Sequence, residues 1–371
     1  TLFAKGCNMQ RANKLIQNAT TSMSNQTVTI FTSIGGIAQS LRDADPNLPI
    51  KVVEDDALNG DGVTFHFDPS LLRQETRLAL KQAKILISEP AVVAQLLEHD
   101  ASALSSLCWC QSIYAGVDPI FNSSLTFPLS WKLTRFAGCL GPPIAEWCLG
   151  RIIAHERNFM KSAEDQKSLS WAGSKDAILG YRYLSSLTLA VLGCGDIGRC
   201  IAKLAKAFGM KTVGYGKTSR EPDEVQEGID VYTTNLDQAL WEADYIVSVL
   251  PSTPETRGLL NGDALRPGSK PNGRKCPVFI NAGRGDIITE DSLLNALDNQ
   301  WISASILDVF EVEPLPKESK LWHRSDVIIS PHVSGWSGFS PKDVPKVFLK
   351  NYERFLEGSE LKYLVDWNKG Y

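Results

Sequence analysis

The chain has 371 residues, 43% of them hydrophobic and 22% charged, with a net charge of −4. That length accommodates two domains of ordinary size. The charge provides no general attraction to nucleic acid or to an anionic membrane surface, and no apolar run approaches the length of a membrane span. The eight cysteines contain no C-x-x-C pair, which argues against a zinc ribbon or a thioredoxin-type site. Cys194 inside a glycine turn and Cys148 inside a helical pattern are awkward places for disulfides. A reduced, intracellular protein is therefore expected, with the sequons at Asn18, Asn25 and Asn122 as chance matches.

Residues 1–27 carry Lys5, Arg11 and Lys14 and no acid, and are rich in Ser, Thr, Asn and Gln. They read either as the end of a mitochondrial transit segment or as an upstream extension with Met23 as an alternative start. The second reading is preferred, and with it a cytoplasmic location.

The first strand is expected at Thr27–Phe31, followed by a glycine turn and a helix near Ile37–Arg42. Further strands are expected at Ile50–Val53, Val63–Phe67, Ile85–Ser88 and Leu107–Ile113, with helices at Ser70–Gln82 and Val92–Glu98. Strands alternating with helices imply a parallel sheet covered on both faces. Tyr114-Ala115-Gly116-Val117-Asp118 then forms a glycine loop at a strand's C-terminal end, where such folds place ligands. Its backbone N–H groups suit a small anion; an ordinary turn is the alternative. Gly141-Pro142-Pro143 opens a long helix from Ile144 to about Ser162, since proline suits a first helical turn. Trp171–Tyr183 reads as a loop.

Leu189-Ala190-Val191-Leu192 runs into Gly193, Gly195 and Gly198 at G-x-G-x-x-G spacing. Ile201, Leu204, Ala205 and Phe208 follow on one helical face. The strand–turn–helix context is what makes this motif a dinucleotide site. The first glycine permits the turn, the second lets backbone approach a pyrophosphate and the third lets helix pack on strand. Further strands are expected at Lys211–Tyr215, Ala243–Pro251, Val278–Asn281, Ser303–Val309 and Val327–Ser330. Their near-continuous apolar character marks burial on both faces. Gly268–Pro277 reads as an exposed loop. Pro341–Leu356 reads as a helix returning to the first domain.

Three strand ends deliver polar chemistry to one sheet edge, the edge that carries the glycine turn. They are Arg284 in Asn281-Ala282-Gly283-Arg284-Gly285, Glu313 after Asp308, and His332 in Ser330-Pro331-His332-Val333-Ser334-Gly335. An arginine fork binds a carboxylate at two points. A histidine exchanges a proton with a hydroxyl near neutral pH, and a neighbouring carboxylate favours the imidazolium form. This set suits hydride reduction of a 2-keto acid. Taken singly, Arg284 could be a surface arginine and Glu313 a solvated loop acid. His66, His99, His155 and His323 compete with His332, but none lies at a strand end beside glycines.

With these segments in place, the chain resembles the D-isomer-specific 2-hydroxyacid dehydrogenases. That family includes glyoxylate/hydroxypyruvate reductases, D-lactate dehydrogenase and phosphoglycerate dehydrogenase. Matching segments, from Ala115–Asp118 and Gly141–Glu146 through Gly193–Gly198, Leu250–Gly258, Asn281–Gly285 and Leu307–Pro314 to Pro331-His332, span roughly residues 28–360 in order. The resemblance implies an α/β fold of two doubly wound parallel-sheet domains, a Rossmann-type cofactor domain (144–335) inserted into a flavodoxin-like substrate domain (28–143 and 336–371). The active site would lie between them, and the protein would be a homodimer. The resemblance implies His332 as acid/base, Glu313 as its partner, and Arg284 as the anchor of the substrate's carboxylate and carbonyl. Tyr114, Ala115 and Gly116 would offer N–H groups to that carboxylate. Asp196 and Ile197 would contact the pyrophosphate, and Asp308 the nicotinamide carboxamide. Leu250, Pro251, Thr256, Ala282, Gly283 and Gly335 would be further cofactor contacts.

One departure bears on the cofactor. Many NAD-using members place an acid at the end of the second strand of the cofactor domain. Here Gly216 stands there, followed by Lys217, Thr218, Ser219 and Arg220. An acid would repel a 2′-phosphate, whereas cations and hydroxyls accept one. NADP(H) is therefore expected over NAD(H), with Lys217, Ser219 and above all Arg220 at the phosphate. Trp336 after the histidine turn suggests a small substrate such as glyoxylate or hydroxypyruvate. No metal is expected. The rival reading is a dinucleotide-sensing binding module resembling transcriptional corepressors; it is disfavoured because no long Pro/Ser-rich tail follows the fold. A formate dehydrogenase is disfavoured because it lacks an acid at the position of Glu313.

Overall fold

The computed structural model describes residues 26–60, 65–171, 173–220, 227–269, 275–337, 340–368 and 370. The readings of residues 1–25, of Val63 and of the centre of the 268–277 loop lie outside these. The chain divides into two units, Thr1–Cys139 with Gly338–Tyr371, and Leu140–Ser337.

The first unit is built on strands Val28–Ile30 (β1), Ile50–Val52 (β2), Leu58–Gly60 (β3), Phe65–Phe67 (β4), Ile85–Ser88 (β5), Trp109–Ser112 (β6) and Lys132–Thr134 (β7). Five of them form a parallel sheet in the order β2-β1-β5-β6-β7. The sheet order reverses between β1 and β5. All four residues of β5 are buried, as expected of a central strand covered on both faces. Phe65–Phe67 does not join this sheet. It pairs antiparallel with β3, Leu58 opposite Phe67, which corrects the assignment of that segment to the parallel layer. Its alternation of burial, with Phe67 buried and His66 exposed, is that of a hairpin wet on one face. The helix Val344–Leu356 belongs to this unit. Its Phe348 ring stacks on Trp109 at 5.1 Å and 6°.

The second unit holds Thr188–Leu192 (β8), Lys211–Tyr215 (β9), Val231–Thr233 (β10), Tyr245–Ser248 (β11), Val278–Asn281 (β12), Ala304–Leu307 (β13) and Val327–Ile329 (β14). They make a seven-stranded parallel sheet in the order β10-β9-β8-β11-β12-β13-β14, with the topological switch between β8 and β11. Strand alternation divides the core. Leu189 and Val191 pack with Ile201 and Ala205 on one face, while Ala190 and Leu192 pack with Leu240 and Leu293 on the other.

Two helical expectations change. The long helix is Gly141–Glu156 and stops there. Asn158 takes a left-handed φ of 49°, and a second helix, Phe159–Lys167, follows. The stretch read as a loop from Trp171 contains a short helix, Lys175–Leu179. The strands β3, β7 and β10 were not expected from the sequence.

Candidate active site

The glycine turn joins β8 to the helix Asp196–Ala207 at the switch point. Each glycine has a distinct structural reason. Gly193 has φ +102°, and a Cβ there would lie 3.2 Å from the backbone of Val249. A Cβ on Gly198 would lie 2.0 Å from the carbonyl oxygen of Gly193, so only glycine lets the helix start this close to the turn. Gly195 is exposed, and a Cβ there would meet nothing within 4 Å. That open place beside a helix N-terminus is a cradle a side chain would fill, and it fits a pyrophosphate. Asp196 and Ile197 occupy the first helical turn, half-buried, with Asp196 3.6 Å from Arg199. Cys194 also finds its reason. Its thiol turns down against the carbonyl of Tyr215 at 3.6 Å, in space left by Gly214, and burial pushes it up to about 11.

The next strand end carries Gly216–Arg220. The Arg220 guanidinium lies 5.0 Å from the ring centroid of Tyr232 and donates to the carbonyl oxygen of Cys194 at 3.4 Å. Tyr232 in turn donates its hydroxyl to the carbonyl of Thr218 at 2.8 Å. A Cβ on Gly216 would sit 2.3 Å from that hydroxyl, so any other residue there would displace it. Lys217 is largely exposed and lies 3.3 Å from Glu255; Ser219 is exposed. Tyr232, on the unforeseen β10, was missed in the sequence. Its only signal there is an aromatic residue within Val-Tyr-Thr.

Glycine close approaches continue across the sheet edge. A Cβ on Gly283 would come 2.8 Å from the carbonyl oxygen of Leu250, and one on Gly285 would come 1.9 Å from the backbone of Phe310. Leu250, Gly283 and the turn carrying Arg284 are thus packed backbone to backbone. Asn281 ends β12 and is buried. Its side chain donates to the carbonyl of Arg284 at 3.0 Å and accepts from Gly283 N–H at 3.2 Å. Arg284 is half-buried, with one guanidinium N–H on the carbonyl of Gly283 at 2.9 Å. Ala282 is buried beside it, and Pro251 is half-buried. Thr256 has its hydroxyl committed within its own loop, donating to the carbonyl of Pro251 at 2.5 Å.

His332 and Glu313 meet directly, Nδ1 to Oε2 at 2.7 Å. The other oxygen of Glu313 accepts from Phe310 N–H at 2.9 Å, so the carboxylate is oriented from both sides. Both side chains are partly exposed, 48% for His332 and 34% for Glu313. His332 has φ +53°, a conformation that needs support in a residue other than glycine. Asp308 supplies it. Its carbonyl accepts from His332 N–H at 2.8 Å. Its fully buried carboxylate accepts from Ser330 Oγ at 2.5 Å, Val333 N–H at 3.0 Å and Ser334 N–H at 2.8 Å. Asp308 thus braces the histidine turn through both of its carboxylate oxygens. Gly335 closes that turn, 3.2 Å from Ile144 for a Cβ.

The competing histidines stand elsewhere. His155 bonds the hydroxyl of Tyr245 at 2.7 Å, at the amino end of β11 and so at the opposite edge of the sheet. Burial pushes it down to about 4. There Tyr245 also donates to Glu156, which pairs with Arg182, an internal ionic network of the sheet's amino edge. His66, His99 and His323 are exposed. Tyr114, Ala115 and Gly116 are half-buried at the carboxyl end of β6 in the first unit. Among the described residues no group of His, Cys, Asp or Glu is arranged to hold a metal ion. No described helix is long and apolar enough to cross a membrane.

A seven-stranded parallel sheet with a glycine cradle at its switch point and a histidine–carboxylate pair at the same edge defines a nicotinamide-dinucleotide oxidoreductase. Residues 149–334 match the model of the D-isomer specific 2-hydroxyacid dehydrogenase NAD binding domain. The chain is 34% identical to glyoxylate/hydroxypyruvate reductase B of Serratia proteamaculans over 260 residues, 70% of this chain and 77% of that one. It superposes with a TM-score of 0.76 and 31% identity on a D-isomer specific 2-hydroxyacid dehydrogenase family protein of Aeromonas salmonicida, covering 93% of this chain and all of that one. An NADPH-dependent glyoxylate/hydroxypyruvate reductase of Sinorhizobium meliloti, solved with NADP and sulfate, gives a TM-score of 0.73 at 27% identity, covering 93% and 100%. The chain belongs to the D-isomer specific 2-hydroxyacid dehydrogenase family.

Proposed function

We propose that the protein reduces a small 2-keto acid of the glyoxylate or hydroxypyruvate kind to the D-2-hydroxy acid, with NADPH as reductant. The observation that carries this reading is the 2.7 Å His332–Glu313 contact on the sheet edge that bears the glycine cradle. Gly193–Gly198, Leu250 and Gly283 would hold the dinucleotide, which supplies the hydride when bound. Arg284 binds the substrate's carboxylate through its planar fork and polarises the neighbouring carbonyl. Glu313 accepts a hydrogen bond from Nδ1–H of His332 and so favours its imidazolium form, which gives its Nε2 proton to the carbonyl oxygen as the carbonyl carbon takes the hydride, leaving the hydroxyl and a neutral imidazole. Asp308 holds that histidine in its left-handed turn.

For the cofactor, Arg220 on the Tyr232 ring and the absence of an acid at Gly216 support NADP(H) over NAD(H). The Sinorhizobium meliloti relative, NADPH-dependent by name, supports the same preference. A homodimer is part of this proposal. Phe159, Met160, Leu169, Trp171, Leu179 and Tyr183 are all exposed within 25 residues of chain, and no residue of the helix Phe159–Lys167 is buried. So many exposed apolar side chains in one stretch of chain suit a partner surface, and a second copy is the occupant proposed.

NADPH oxidation with a panel of 2-keto acids tests the activity. Protein that is folded and inert toward all of them refutes it. His332→Ala is expected to lower kcat by about 10²- to 10⁴-fold with NADPH affinity nearly intact. Full activity in that variant removes His332 from the acid/base role.

A further inference from the structure

Arg284 can anchor a carboxylate only if its backbone is fixed, because the arginine stem is long and flexible. Three elements fix it. Asn281 holds its carbonyl from β12. Gly285 is wedged against the backbone of Phe310, in the loop that carries Glu313. The third fixing point is Asp286. Ser252, buried in the loop after β11, donates its hydroxyl to Oδ2 of Asp286 at 2.5 Å. Arg257 donates from Nε to the Ser252 hydroxyl at 3.0 Å and lies 3.4 Å from the same carboxylate oxygen. The backbones run together as well, with Gly258 N–H on the carbonyl of Asp286 at 2.8 Å and Leu260 N–H on that of Ile287 at 3.0 Å. The other oxygen, Oδ1, is buried with no hydrogen-bond partner, so the carboxylate's side-chain hydrogen bonding is concentrated on Oδ2.

The loop that Asp286 grips is itself braced. Thr256 donates to the carbonyl of Pro251 at 2.5 Å and accepts from Thr253 N–H at 2.9 Å. Residues 251–257 therefore act as one body, and its first residues adjoin the backbone of Leu250 that meets Gly283. We propose that Asp286 is a positioning residue. Through Ser252 and Arg257 it ties the turn of Arg284 to the loop lining the dinucleotide crevice, and so sets the arginine for the substrate's carboxylate. The inference rests on the reading of Arg284 as carboxylate anchor.

Asp286→Ala, Asp286→Asn and Arg257→Gln test it in the full chain, by steady-state kinetics with NADPH and glyoxylate and by amide hydrogen exchange of the protein alone. Asp286→Ala is expected to raise KM for the keto acid about tenfold, as loss of one charge-assisted contact does, with NADPH Kd within about twofold. Asp286→Asn, which keeps an acceptor for Ser252, is expected to recover most of that loss. Arg257→Gln gives an intermediate KM and carries the test if Asp286→Ala does not fold. Exchange is expected to quicken at residues 256–262 and 283–289 and nowhere else. Three results overturn the proposal. They are an unchanged KM, a KM rise matched by an equal rise in NADPH Kd, or an unaltered exchange pattern. An inert wild-type protein would instead refute the 2-keto acid reading, and the exchange arm would still decide whether the tie exists.

Discussion

Replacing Arg220 with alanine should abolish most of the discrimination between NADPH and NADH. The guanidinium stacks on the Tyr232 ring and bonds the carbonyl of Cys194 in the glycine turn, which places it beside the cradle before any ligand arrives. A charge-assisted contact to a phosphate contributes about 1.5–3 kcal/mol. Arg220 is half-buried, so the lower part of that range applies, about 1.5–2 kcal/mol, or roughly 10- to 30-fold in Kd. Lys217 is a poor substitute, being largely exposed and paired with Glu255. The hydroxyl of Tyr232 stays on Thr218 in the variant, so the loop keeps its path. NADPH affinity is expected to fall by that factor while NADH affinity stays within about twofold. Fluorescence titration of both cofactors reads this, with 2′,5′-ADP as competitor. An unchanged NADPH-to-NADH ratio, or equal losses for both, refutes the assignment. Gly216→Asp is a less clean test, because its Cβ would displace the Tyr232 hydroxyl.

Two more outcomes follow from the buried and the exposed extremes of the molecule. Glu89 is fully buried in the first unit. Its Oε1 accepts from Thr32 Oγ1 at 2.9 Å, Ser33 N–H at 2.8 Å and Ser33 Oγ at 2.6 Å, while Oε2 has no hydrogen-bond partner. Burial raises its pKa in the folded state. Its contribution to stability is therefore full below the unfolded pKa and is lost as pH rises through the folded one. Glu89→Gln removes the titration, so the Tm of wild type relative to the variant should decline from about pH 4 upward. A difference independent of pH would contradict this. For assembly, Trp171→Glu places a charge in the exposed apolar stretch and should shift the protein toward monomer in light scattering after gel filtration. A wild-type protein that is already monomeric would refute the homodimer.

Much of this protein was legible in the chain alone. Lys211–Tyr215, Val278–Asn281 and Ile85–Ser88 could be read as strands because a strand buried on both faces is apolar throughout, and that pattern is local. The glycine turn was legible because its spacing is local, with Gly193 at a φ of +102° and Gly198 against the carbonyl of Gly193, although the Val249 backbone that also crowds Gly193 lies far along the chain. The segment Phe65–Phe67 was misassigned, because a three-residue strand carries no mark of which partner it pairs with. Likewise the sequence carries nothing of Tyr232 beneath Arg220, Asp308 inside the histidine turn, or Phe310 against Gly285. These pairs are 12 to 25 residues apart, and only the stacking of strand ends at one edge brings them into contact. The kinds of chemistry were therefore determined by residue type and local spacing. Which groups hold the candidate side chains was decided by the sheet order, since hydrogen bonds and close backbone approaches act over a few ångströms of space and not along the chain.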